Sequence, residues 1–155
     1  MKKNNFAGKV FVTNSFRETQ ELGKDFARFL AGGDIVCLHG DLGSGKTTFV
    51  QGLAKGLGIK QRIISPTFLI IRKYKIRIND EGLMINDFYH IDLYRVESEK
   101  DLESLGIEEI INNKNNIVVI EWAEKLKSYL PRQRIDVGFS YVSDEVRKIT
   151  FSLTT

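Results

Sequence analysis

Apolar positions along the chain alternate between two rhythms, and the switches between them mark out the elements. Val10 to Thr13 is a short apolar run that predicts a strand. Beyond it the spacing lengthens. Leu22, Phe26, Phe29 and Leu30 share one helical face, Ser15 and Glu18 have capping-box spacing at its start, and Gly32-Gly33 ends it. Ile35 to His39 is almost continuously apolar, as in a strand of a parallel sheet buried on both faces. A glycine-rich turn follows, then a helix from Lys46 to about Leu57 closed by Gly58. Thr67 to Ile78 and Leu83 to Tyr94 are β-rich and joined by Asn79-Asp80-Glu81-Gly82, which predicts an antiparallel hairpin. A helix from about Ser98 to Leu105 stops at Gly106, Ile117 to Ile120 is a second wholly apolar strand, and Ala123 to Leu130 reads as helical before Pro131. The C-terminal part alternates: Ile135, Val137, Phe139 and Tyr141 share one face, and Ile149, Phe151 and Leu153 another. Val142 to Val146 between them makes a second hairpin. The class is α/β with a mixed sheet.

Composition adds bounds. A chain of 155 residues suits one domain around one core, spanning residues 1–155. With 28% charged and 42% hydrophobic residues it is neither a disordered chain, a collagen-like repeat nor a disulfide scaffold. The net charge of +3 permits contact with nucleic acid or phosphate without arguing for it. Cys37 is the one cysteine, which leaves no intrachain disulfide and no cysteine-based metal cage. The longest uncharged stretch, Ile63 to Ile71, is too short to cross a bilayer. Met1-Lys2-Lys3 leads into Asn4, Asn5 and Gly8, unlike a signal peptide, so the expected compartment is the cytoplasm.

The turn after the first buried strand carries the chemistry. Gly40-Asp41-Leu42-Gly43-Ser44-Gly45-Lys46-Thr47 matches G-x-x-x-x-G-K-[ST] in full. Glycines in such a loop let successive N–H groups turn inward to form an anion-binding concavity. The helix that starts at Lys46 adds unpaired N–H donors and its positive dipole end. Lys46 would reach the β- and γ-phosphates of a nucleotide, and the Thr47 hydroxyl would ligate Mg²⁺. Thr48, one residue on, is expected to face the helix packing, and Asp41 to be structural or substrate-facing. The strand before and the helix after sharpen the class to a three-layer fold like that of P-loop nucleotide hydrolases.

A magnesium ion at such a loop needs a carboxylate at the end of a nearby strand. Glu121 ends Ile117-Val118-Val119-Ile120, and Asp92 lies in His90-Ile91-Asp92-Leu93-Tyr94-Arg95. Either acid could instead simply end its strand in solvent. Asp87, five residues before Asp92, falls on the other face. Ser65-Pro66-Thr67-Phe68 has the position of a switch loop but also reads as an ordinary turn. His90 is expected to be a hydrogen-bonded structural residue, and Arg95 a surface or ion-pair residue.

Four motifs in order, Gly40 to Thr48, Ser65 to Phe68, His90 to Arg95 and Ile120-Glu121-Trp122, resemble the TsaE (formerly YjeE) family. Its members are small bacterial ATPases of tRNA threonylcarbamoyladenosine synthesis. The resemblance covers about residues 15–125 and fades beyond Trp122, leaving the C-terminal hairpin without a role. It implies weak ATPase activity alone, and action with TsaB and TsaD in modifying adenosine 37 of tRNA, with ATP hydrolysis resetting the complex. Contact with tRNA would come through that complex, with no membrane involved. It also implies that Asp41, Leu42, Gly43, Ser44, Gly45, Lys46, Thr47 and Thr48 hold ATP with Trp122 beside it. Thr47, Asp92 and Glu121 would serve the metal, and Lys46, Thr67, Asp92 and Glu121 would form the catalytic set.

Rival functions remain. A GTPase would need Asn-Lys-x-Asp after a strand, whereas Asn113-Lys114-Asn115-Asn116 lacks the Asp and precedes its strand. A small-molecule P-loop kinase would need an arginine-bearing lid, and Arg72 and Arg77 lie in a β-rich segment. A nucleotide-gated assembly factor is the third. Lys73, Lys75 and Arg77 point one way along a strand, either to bind tRNA or to keep an edge strand from pairing with other chains.

Overall fold

The structure, a computed structural model, describes residues 3–64, 70–76 and 87–155. The predicted Ser65–Phe68 loop with Thr67, the turn at Asn79–Gly82 and Arg77 lie outside these residues. Strands β1 (Val10–Thr13), β2 (Ile35–His39), β3 (Ile71–Lys75), β4 (Asp87–Asp92), β5 (Asn116–Glu121), β6 (Arg134–Tyr141) and β7 (Arg147–Thr154) form one sheet ordered β1-β7-β6-β2-β5-β4-β3. The central strands β6, β2, β5 and β4 run parallel, and β7, β1 and β3 join antiparallel at the sides. This is the mixed sheet expected, with the two innermost parallel strands, β2 and β5, the most continuously apolar.

Helices α1 (Phe16–Ala27) and α2 (Lys46–Gly56) cover one face. There Phe26, Phe49, Leu53, Val36, Leu38, Val119, Val137 and Phe151 are packed in one buried cluster. Burying each such side chain is worth about 1.5–3 kcal/mol. Helices α3 (Glu99–Ser104) and α4 (Ile107–Asn112) and a 3₁₀ stretch, Ala123–Tyr129, cover the other face over Ile35, Cys37, Ile91, Val118 and Ile120. The alternation within β2 and β5 thus divides their side chains between two cores, giving three layers. Among the described residues no helix is long and apolar enough to cross a membrane.

Several boundaries depart from the pattern. Helix α1 ends at Ala27 rather than at Gly32-Gly33. Its end tightens into turns, Phe29 N–H to Phe26 O and Leu30 N–H to Ala27 O, which still lay both side chains against the core. At its start the Ser15 hydroxyl accepts from the Glu18 N–H, but the Glu18 carboxylate accepts from the Asn14 N–H at 2.7 Å, one residue beyond the ordinary box. Gly106, expected only as a stop, turns at φ +68 between α3 and the unanticipated α4. The predicted helix Ala123–Leu130 is 3₁₀ and breaks at Lys127, whose φ is +49. Lys73 and Lys75 of the basic stripe lie on β3, an edge strand among the described residues, and Lys73 is paired with Asp87 at 3.3 Å.

Below the C-terminal end of β2, Asp136 on β6 gathers three partners. His39 Nε2 lies 2.8 Å from its carboxylate, Arg134 Nε donates to both oxygens, and the Thr154 hydroxyl donates at 3.1 Å. Burial pushes the Asp136 pKa up, but the hydrogen bonds from His39, Arg134 and Thr154 outweigh it, and the net shift is downward. A carboxylate with a lowered folded-state pKa stabilises above its unfolded value, about 4, and loses that contribution as pH falls through the folded one. Asp136→Asn should therefore lower the thermal midpoint at pH 7, with the gap to wild type closing as the pH is taken below about 4. A gap that does not depend on pH would mean that shape rather than charge holds this corner.

Candidate functional site

Strand β2 runs into the glycine loop at the C-terminal edge of the parallel strands. Gly40 turns under Phe139: a Cβ there would lie 2.8 Å from the Phe139 carbonyl oxygen and 2.7 Å from Ser44 Oγ. Gly45 caps α2 at φ +103, a conformation that L side chains avoid. Among the described residues no side chain caps the first N–H groups of α2, which leaves them as donors for an anion. Lys46, only 5% exposed, donates through Nζ to the Gly40 carbonyl and lies 4.2 Å above the Trp122 ring. Burial lowers its pKa, opposed by the attraction of Glu121 and Asp92.

The two acids face this lysine from adjacent strands. In the parallel register Asp92 pairs with Glu121, which sets both carboxylates at one level and on the α2 face. Both are buried, at 6% and 3% exposure. Glu121 is held by His90, whose Nε2 lies 2.6 Å from its carboxylate. With the carboxylate ionised, Nε2 is the donor of this bond. The backbone turns sharply after Glu121: Trp122 adopts φ +60, a left-handed conformation uncommon for a non-glycine residue. That turn brings its ring beside Lys46 and 5.2 Å from the Tyr94 ring.

The lysine, acids and tryptophan share a cleft of about 370 Å³ with Leu42, Gly43, Gly45, Thr47 and Thr48. Thr48 lines the cleft beside Thr47 instead of facing only the packing, since the first turn of α2 leaves both threonines partly exposed. Asp41 and Ser44 do not line it: Asp41 is exposed with its carbonyl accepting from Ser44 N–H, and Ser44 is buried. Among the described residues, Ser44 Oγ is one of the few buried polar atoms with no hydrogen-bond partner. A hollow of about 800 Å³ beside Lys73 and Lys75 is larger but contains none of the motif residues. His90 is the hydrogen-bonded residue expected, and Arg95 is exposed and apart from the cleft.

Sequence reasoning missed Phe16, Tyr94 and Arg147, which also line the cleft. For Arg147 a signal was present. It falls in phase with Ile149 and Phe151, so alternation alone puts this arginine on a buried face.

Among the described residues no group of His, Cys, Asp and Glu side chains is arranged to hold a metal by itself. The hydroxyl of Thr47 with the carboxylates of Asp92 and Glu121 suits an ion that takes its other ligands from phosphate and water, as magnesium does. The uncapped α2 N-terminus fits a phosphate group in the same loop.

Residues 13–149 match the model of a protein family described as "Threonylcarbamoyl adenosine biosynthesis protein TsaE". Over 135 residues, 87% of this chain and 79% of the relative, it is 41% identical to the tRNA threonylcarbamoyladenosine biosynthesis protein TsaE of Bacillus subtilis (strain 168). The TsaE protein of Treponema pallidum (strain Nichols) is 37% identical over 139 residues, 90% of this chain and 96% of that one. A crystal structure of Bacillus subtilis YdiB superposes with a TM-score of 0.72 and 33% identity, over 95% of this chain and 86% of that one.

Proposed function

This chain belongs to the TsaE family of tRNA threonylcarbamoyladenosine biosynthesis, and we propose that it does so as a Mg²⁺-dependent ATPase acting with TsaB and TsaD. The observation that carries this is one cleft in which a buried lysine at a helix N-terminus faces two buried, register-matched carboxylates. The lysine and the α2 N–H groups bind the nucleotide's phosphates, which replace the Gly40 carbonyl as the partner of Nζ. Thr47, Asp92 and Glu121 hold the metal, which when bound neutralises charge on the phosphates. His90, hydrogen-bonded to the Glu121 carboxylate, fixes the rotamer in which that carboxylate meets the cleft. Trp122 and Tyr94 wall the cleft beside Lys46. Thr67, by family resemblance, completes the catalytic set from the sequence that follows α2. Hydrolysis resets the TsaB–TsaD assembly between rounds, and tRNA is met through that assembly.

The test is phosphate release from ATP by the chain alone and with purified TsaB, TsaD and tRNA. Slow turnover alone and a marked rise with partners is expected. Asp92→Ala and Glu121→Ala should each lower turnover by about a hundredfold while shifting ATP affinity far less, because they act on the metal and the reacting phosphate. Partner-dependent assembly on ATP with no phosphate release would favour a nucleotide-gated assembly factor. Phosphate transferred to an added small acceptor would favour a kinase.

A further inference from the structure

Arg147 opens β7 and extends from the hairpin to the glycine loop, a link between the C-terminal end of the chain and the cleft. Its side chain is 5% exposed. One terminal nitrogen donates to the carbonyls of Ser143, Asp144 and Val146, all in the β6–β7 turn. The other donates to the Gly43 carbonyl at 3.0 Å. The Tyr141 ring lies 4.7 Å from the guanidinium carbon. Among the described residues its Nε is a buried donor with no partner, on the side of Gly45.

We propose that Arg147 is a positioning residue for the phosphate loop, holding the Gly43–Ser44 peptide in the orientation that nucleotide binding needs. This rests on the nucleotide-binding reading of the cleft. The peptide is pinned at both ends: the Ser44 N–H donates to the Asp41 carbonyl, and the Gly43 C=O accepts from Arg147. Gly43 itself sits at φ +77 in an exposed part of the loop with no side chain to restrain it. With the arginine gone, that peptide is free to rotate, and a rotated carbonyl oxygen would face the phosphate instead of leaving the concavity to N–H donors. A guanidinium is suited to the task because its planar fork bonds the turn and the loop at once, from a position fixed by stacking. A lysine keeps the charge but cannot span both sets of carbonyls.

That difference makes the test. Trp122, the single tryptophan, lies in the cleft, so its fluorescence reports nucleotide titrations directly. ADP and ATP with Mg²⁺ should bind Arg147→Lys about tenfold more weakly than wild type, and Arg147→Ala at least as weakly. The titrations are run well below the thermal midpoint, so that affinity is read on folded protein. Wild-type affinity in Arg147→Lys would overturn the proposal, since charge alone would then suffice. A lowered midpoint with unchanged affinity would overturn it too, reducing Arg147 to a hairpin clamp. Should Arg147→Ala fail to fold, the lysine variant still decides. A wild-type protein that binds neither nucleotide would overturn the underlying reading as well, whereas wild-type binding with unaffected variants overturns this proposal alone.

Discussion

Lys46→Ala is expected to abolish measurable nucleotide binding while leaving the fold in place. The side chain contributes to binding through charge-assisted hydrogen bonds to phosphate, worth about 1.5–3 kcal/mol each. Losing two of them weakens affinity by roughly a hundredfold or more. The fold depends on it much less. Burial lowers the Lys46 pKa, and a lysine so shifted costs folding free energy at every pH at which it stays charged. Removing it relieves that cost but takes a cation away from Glu121 and Asp92, which oppose the shift. The lost attraction is smaller than the relieved burial cost, as the net downward shift shows, so the thermal midpoint should stay within about 4 °C of wild type. Calorimetric titration of the variant with ATP and Mg²⁺, beside a thermal melt, reads both quantities. ATP binding at wild-type strength would remove Lys46 from the phosphate site, and with it the assignment of this cleft.

What the chain's pattern made legible, and what it hid, follows from the range of the forces involved. Ile35–His39 was readable to the residue because its burial is written in consecutive side chains, and Val10–Thr13 from its apolar run alone, since Val10 and Val12 are exposed. So was the phosphate loop, whose spacing reflects backbone geometry within eight residues. Asp92 and Glu121 were readable as strand-ending acids, but their meeting was not, since the β4–β5 register is set by two cores that no local pattern encodes. The end of α1 was misplaced because Phe29 and Leu30 keep the helical apolar spacing after the helix has tightened into turns. Helix α4, six residues long, is too short for its Ile107 and Ile111 to declare a period. Arg147 was overlooked because a charge is read as exposed, although its phase with Ile149 and Phe151 said otherwise.

Gly52→Ala should be the most damaging of the conservative substitutions, and helix propensity would suggest the reverse. Gly52 lies inside α2, where alanine is favoured by about 1 kcal/mol on propensity alone. Yet a Cβ at Gly52 would stand 1.9 Å from the Gln20 carbonyl oxygen and 2.7 Å from the Gln20 Cα, both backbone atoms of α1. A Cβ at Gly56 would likewise stand 2.6 Å from the Lys24 carbonyl oxygen and one at Gly23 2.3 Å from the Phe49 carbonyl oxygen, so the two helices approach backbone to backbone at all three glycines. Relief requires α1 and α2 to part, which opens the packing of Phe26 against Phe49 and Phe151. Overpacking of this kind costs about 1–3 kcal/mol or more, and here no flexible side chain can yield. A net loss of about 3 kcal/mol is expected, a fall of roughly 6–12 °C in the thermal midpoint. Gly138→Ala is the control, since a Cβ there meets nothing closer than the Thr150 carbonyl oxygen at 4.0 Å. Denaturant titrations of the two variants should differ by most of that 3 kcal/mol estimate. Equal stability would show that α2 can move away from α1 without cost. The phosphate loop at its N-terminus would then be held in place by the sheet and Arg147 alone.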